Sequence, residues 1–132
     1  FNDTAVEYPV GTIHELFEEQ VKKTPNHIAV VFEEKQLTYE ELNKKANKLA
    51  RTLREKGVAQ NSIVAIMVDR SVEMIVGILG VLKAGGAYLP IDPEYPTERI
   101  EFMLEDSNAD IIITQEHLTD KNGSYGEVVN IN

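Results

Sequence analysis

Apolar residues recur along this chain at two spacings, and the two alternate. Ile13, Leu16, Phe17 and Val21 fall on one face of a 3.6-residue helix. Thr12 and Glu15 precede and enter that face at capping-box spacing, in which each side chain satisfies an orphan backbone N–H. Thr12 is therefore expected to open the helix. Pro25 is expected to close it, because the residue before a proline avoids helical geometry. "HIAVVF", residues 27–32, is a β-branched run of strand length, "EEK" a turn and "QLT" a short returning strand. Thr38 and Glu41 repeat the capping box and open a helix to about Lys56. Its apolar face is Leu42, Ala46, Leu49, Ala50 and Leu53, and Gly57 suits a left-handed C-cap.

The alternation continues. "SIVAIMV", 62–68, is an apolar strand bounded by Asp69-Arg70, and Ser71 caps a helix from 72 to about 84. Met74, Ile75, Ile78, Leu79 and Leu82 cover much of that helix's circumference, which predicts burial. Gly77 and Gly80 each cost about 1 kcal/mol of helix propensity, which makes sense if another backbone packs close. "AYLPI", 87–91, is a strand that Pro90 confines to an edge, an end or a bulge. A helix over 97–106 turns Ile100, Met103 and Leu104 inward. "ADIIIT", 109–114, is a core strand, 115–126 a short helix or loop, and "EVVNI" a last strand.

Helix, strand, hairpin strand, then strict alternation is the order of βαβ units on a mostly parallel sheet, an α/β fold. Residues 1–11 lack periodicity, hold Pro9 and Gly11, and read as a linker or extended arm. The chain opens on Phe1 and closes on a strand, so 12–132 is expected to be the first part of an incomplete domain.

Charge narrows the partners. Thirteen basic residues stand against 22 acidic, a net charge of −9, which argues against a nucleic acid or an anionic membrane as ligand. There is no cysteine, which removes disulfides and thiolate chemistry and permits a cytosolic setting. No run approaches the roughly 20 apolar residues of a spanning helix, and no signal peptide opens the chain.

The residues with chemical potential read mostly as scaffold. "LKAGGAYLPID", 82–92, places glycines between a helix and a strand in the manner of a phosphate loop, but Gly86-Ala87 stand where such a loop needs Lys and Ser/Thr. The turn also runs helix to strand, and anions bind where a strand enters a helix, at the bare N–H groups. Gly85 is thus a C-cap, Gly86 admits the chain to the strand, and Lys83 is a dipole partner or solvated residue. His14, His27 and His117 are scattered without ligand spacing, so no metal site is expected. The pairs Glu18-Glu19, Glu33-Glu34, Glu40-Glu41 and Glu105-Asp106 read as solvated faces. Asn122-Gly123 reads as a turn, and Asn2 and Asn122 match a glycosylation pattern only weakly. On residues alone this is an α/β scaffold without catalytic apparatus. A stand-alone acidic interaction module is the alternative, and a small nucleotide-binding protein is disfavoured.

Two stretches change that. "LTYEEL", 37–42, resembles the first core motif of nonribosomal peptide synthetase adenylation domains, and "LKAGGAYLPID" resembles the second at the expected separation. "TIHELFEEQVKKTPNHIAV" and "YPTERIEFMLEDSNADIIIT" resemble the flanking segments, and "FNDT" the junction after an upstream condensation domain. The resemblance covers essentially the whole chain. It implies the acyl-adenylate-forming superfamily, whose members activate a carboxylic acid with ATP and Mg and release pyrophosphate. It implies bacterial, cytoplasmic peptide synthesis, with the aminoacyl group passed to a carrier-domain phosphopantetheine. The expected partners are the remainder of the domain, neighbouring condensation and carrier domains, and the small MbtH-like helper that some members need. The family's phosphate loop, amino-acid pocket and catalytic lysine match nothing here, so no catalytic, cofactor-binding or metal residue is assigned and the chain alone is expected to be inactive. A segment taken from the larger N-terminal subdomain would expose apolar surface along the 72–84 helix or at strand edges.

Overall fold

The computed structural model describes residues 10–118 and 126–131, with side chains from Ile13 onward. The elements are α1 (Val10–Lys23), β1 (Ile28–Phe32), β2 (Lys35–Thr38), α2 (Tyr39–Glu55), β3 (Ile63–Met67), α3 (Val72–Lys83), β4 (Ala87–Pro90), α4 (Thr97–Ser107), β5 (Ile111–Thr114) and β6 (Glu127–Asn130). β1 and β2 form an antiparallel hairpin. The other four strands form one parallel sheet in the order β4-β3-β5-β6. That is the α/β architecture the alternation predicts, and β4, with Pro90, lies at the edge.

Strand alternation divides the core in two. Val64, Ile66 and Val68 face α2 and α3, together with Ile111, Ile113 and Val129. Ala65, Met67 and Ile112 face the other way, onto Ile100 and Leu104 of α4. α3 carries the chain outward from β3 to β4; α4 carries it back across β3 to β5. Crossovers of one hand that run in opposite directions belong on opposite faces.

The α2 expectation holds residue for residue. Leu42, Ala46, Leu49, Ala50 and Leu53 are its buried residues. The capping box is complete, with Glu41 N–H donating to Thr38 Oγ1 at 3.1 Å and Thr38 N–H to Glu41 Oε1 at 2.9 Å. The C-terminus closes by two bonds, Gly57 N–H to Arg54 C=O and Val58 N–H to Leu53 C=O, around Gly57 at φ +100°.

Elsewhere the structure corrects the pattern. α1 begins at Val10, so Thr12 lies inside the helix and does not open it; Val10 and Gly11 are helical, not linker. The first helical turn makes no N–H bonds back into the helix, so its boundary is weakly encoded. Residues 1–9 lie outside the described residues. Ile13 and Leu16 are about half exposed, while Phe17 packs against the core. The hairpin turn is Glu33-Glu34, with Lys35 already in strand and Glu33 in left-handed geometry. Ser71 stands at the α3 N-cap position, but its hydroxyl donates to the Asp69 carbonyl instead of accepting from the helix. The Asn122-Gly123 turn and both glycosylation patterns lie outside the described residues.

α3 is buried as expected, with Leu79 and Leu82 of the expected face joined by valines that the pattern did not single out. Val72, Val76, Leu79, Val81 and Leu82 are fully covered, and Met74, Ile75 and Ile78 pack half-buried against the same core. The large exposed apolar residues are therefore on other elements, among them Val31, Tyr88 and Phe102. What crowds Gly80 is a side chain, not a backbone: a Cβ there would sit 2.6 Å from Leu49 Cδ2 and 3.0 Å from Leu49 Cβ.

Candidate functional site

The chain leaving β3 moves toward β4, and the chain leaving β5 moves toward β6, on opposite sides. In open parallel sheets the crevice beyond the carboxyl ends of two such diverging strands is the default ligand site. Here it lies between Met67 and Thr114, which are register partners.

Polar side chains tie that crevice together. Thr114, completely buried, donates from Oγ1 to the Met67 carbonyl at 2.7 Å. Buried Gln115 accepts the Asp69 N–H on Oε1 at 2.9 Å. His117 Nε2 lies 2.7 Å from Asp69 Oδ2, and both side chains are more than half exposed. Two depressions open on either side. One of about 490 Å³ is lined by Glu33, Glu34, Lys35, Arg70 and Gln115 among others. The second, of about 530 Å³, runs along residues 90–95 to Arg70 and Met74.

The N-terminus of α3 also points here, yet it already holds a carboxylate. Glu73 of its first turn accepts from Lys35 Nζ at 2.6 Å. Partial burial pushes the Glu73 carboxyl upward. The Lys35 and backbone hydrogen bonds, the Lys35 charge and a Ser71 hydrogen bond together outweigh that and hold it below the ordinary carboxylate value. An incoming phosphate would meet this anion first.

The glycine turn sits at the opposite end of α3, and its donors are spent. Gly85 N–H bonds to Leu82 C=O and Gly86 N–H to Val81 C=O, both at 3.0 Å, the same two-bond closure that ends α2. Ala87 N–H bonds to Ser62 C=O at 2.7 Å. Gly85 takes φ +94°, and a Cβ on Gly86 would lie 2.9 Å from the Ser62 oxygen. Both glycines thus serve chain geometry, as the sequence indicated. Lys83 stands in the last turn of α3, where a cation suits the dipole, but it is not solvated. Its side chain is buried, ion-paired with Glu18 of α1, and lies 5.7 Å from the Phe17 ring centre. It fastens α1 to α3.

His14 lies on α1, His27 precedes β1 and His117 follows β5; the structure brings none of them together. Among the described residues no group of metal-type side chains converges, and no helix is long and apolar enough to cross a membrane. Glu19, Glu33, Glu34, Glu40, Glu41, Glu105 and Asp106 are exposed, as solvated faces should be, but Glu18 is not: it is partly buried and ion-paired with Lys83. The Thr114-Gln115 tie was not anticipated. Its one local signal is two polar residues directly following three isoleucines.

Comparison with known proteins reaches well beyond these geometries. The family model described as AMP-binding enzyme matches residues 17–130. Gramicidin S synthase 2 of Brevibacillus brevis is 66% identical over 122 residues, which is 92% of this chain and 3% of that protein. The solved structure of the nonribosomal peptide synthetase FmoA3 in its AMPPNP-bound form superposes with a TM-score of 0.89 at 37% identity, covering 99% of this chain and 14% of that one. The N-terminal subdomain of Klebsiella oxytoca NpsA, in complex with 3-hydroxyanthranilyl-AMSN, gives 0.82 at 26% identity over 98% of this chain and 33% of that one. The chain therefore spans a small part of the relatives it matches.

Proposed function

The chain belongs to the AMP-binding enzyme family, and from that premise we propose that it is the opening segment of an amino-acid-activating adenylation domain in a nonribosomal peptide synthetase. The domain would join an amino acid to ATP as an aminoacyl adenylate, releasing pyrophosphate, in the cytoplasm of a bacterium. Mg would offset the charge developing on the reacting phosphoryl group. The aminoacyl group would then pass to a phosphopantetheine thiol on a carrier domain. The remainder of the domain and the neighbouring condensation and carrier domains would be the partners, with the residues before α1 as the linker from the condensation domain.

Within that scheme this segment is framework. No residue in it is assigned to ATP, metal or amino acid. The observation that carries this assignment is the state of the two helix ends where a nucleotide phosphate was sought: the N–H groups of Gly85 and Gly86 close α3, and Glu73 occupies its N-terminus. The segment's contribution is to fix the carboxyl ends of β3 and β5, where the rest of a site could be built.

The test is amino-acid-dependent ATP–pyrophosphate exchange by a protein that carries this segment in its full reading frame, with and without an MbtH-like protein. One amino acid, or a small related set, should raise exchange far above the blank. Uniformly blank exchange across all amino acids, with folded protein and helper present, would contradict the assignment.

A further inference from the structure

A polar cavity of about 290 Å³ lies between α1, α2 and the end of α3, away from the sheet's carboxyl edge. His14 and Glu18 line it from α1, Asn47, Arg51 and Arg54 from α2, and Lys83 from α3. Its charge is unlike the rest of a −9 chain. Glu18 is its one carboxylate, and Lys83 already neutralises it. The two guanidinium groups remain as excess positive charge. Arg54 is held in place by donating to the Lys83 carbonyl. No hydrogen bond or ion pair among the described residues occupies Arg51. His14 lines the α1 side with its ring, whose Nδ1 is turned away from solvent and has no partner.

We propose that this cavity binds a phosphate-class oxyanion. Arg51 and Arg54 are three residues apart, so their side chains share one face of α2. A guanidinium presents a planar fork that matches the oxygens of phosphate, and charge-assisted bonds of this kind are about twice as strong as neutral ones. The Asn47 amide adds a donor from α2, and the His14 ring closes the side formed by α1. Each water of the liquid takes about 30 Å³, so the space admits a phosphate or diphosphate with several waters. The site is separate from the β3–β5 crevice and does not rest on the proposed adenylation chemistry.

The experiment is a titration of the ¹⁵N-labelled 132-residue chain with inorganic phosphate, then with diphosphate, each against sodium chloride of equal ionic strength. Saturable shifts at the Arg51 and Arg54 Nε–H groups and the His14 ring are expected with the oxyanions and not with chloride. Arg51→Ala should weaken binding about tenfold, the loss of one charge-assisted interaction, while leaving remote resonances in place. Arg51 is exposed and unpaired, so its removal should not unfold the chain. Arg51→Lys, which keeps the charge and loses the fork, should fall between. Shifts that never saturate, that chloride reproduces, or that both variants leave unchanged would overturn the proposal.

Discussion

The two faces of the four-stranded sheet are covered by very different amounts of chain. α2, α3, the hairpin and Phe17 of α1 close over one face, and the packed cluster there runs from Leu37 to Val129. The opposite face has α4, with Ile100 and Leu104 against Ala65, Met67 and Ile112. Phe102 on the outer side of α4 is 66% exposed, and Tyr88 on the edge strand 41%. The difference teaches where cohesion resides. The first face is locked by helices that pack on each other as well as on the sheet; among the described residues the second rests on α4 alone.

Truncation of one leucine on each face tests this most severely. Leu53 and Leu104 are both completely buried. The cost of such a deletion is about 2–5 kcal/mol and depends on how far the surroundings collapse. Leu53→Ala, between α2, α3 and the sheet, should lie near the top of that range, at about 4 kcal/mol. Leu104→Ala should cost about 2–3 kcal/mol, because α4 is free to settle inward. Chemical denaturation of both variants checks this, and equal losses would break the comparison.

The contact between α2 and α3 gives a smaller, sharper probe. Gly80→Ala gains about 1 kcal/mol of helix propensity but drives a methyl into Leu49. The net effect should be a loss of about 1–2 kcal/mol, since overpacking a filled core costs about 1–3 kcal/mol. Adding Leu49→Ala should make the two effects strongly non-additive in a double-mutant cycle, as expected for residues in contact.

The smallest effect belongs to Lys35 and Glu73, which tie the hairpin to α3. The folded Glu73 carboxyl titrates below its ordinary value of 4.5. Its contribution is therefore fully present above that value and lost as pH falls through the lower folded one. Lys35 is largely exposed, so the pair is worth no more than about 1 kcal/mol. Glu73→Gln should flatten the acid limb of the stability profile below about pH 4.5 and change little at pH 7.

Legibility in the sequence follows the same division. α2 was readable to the residue because it is a surface helix with one wet face, and that contrast is what periodicity detects. α3 is covered on most sides, so its apolar residues carry no phase; Val76 and Val81 are as buried as the residues the pattern singled out. The burial of Lys83 was not legible, because a lysine in a last helical turn is usually solvated and only the docking of α1 brings Glu18 to it. The Gln115–Asp69 bond joins residues far apart in the chain. It exists only because β3 and β5 pair in the Met67↔Thr114 register, which no local pattern encodes. The glycine turn was legible because Gly85 and Gly86 answer local backbone demands.

The proposal that this segment is framework, with its adenylating machinery elsewhere in the domain, has a direct test. The direct measurement is amino-acid-dependent ATP–pyrophosphate exchange by the purified 132-residue chain, with Mg and each amino acid in turn. Exchange indistinguishable from the no-amino-acid blank is the expected result. Exchange above it, undiminished by rigorous repurification and removed by Gln115→Ala in a chain that still folds, would contradict the account and make the β3–β5 crevice an active site.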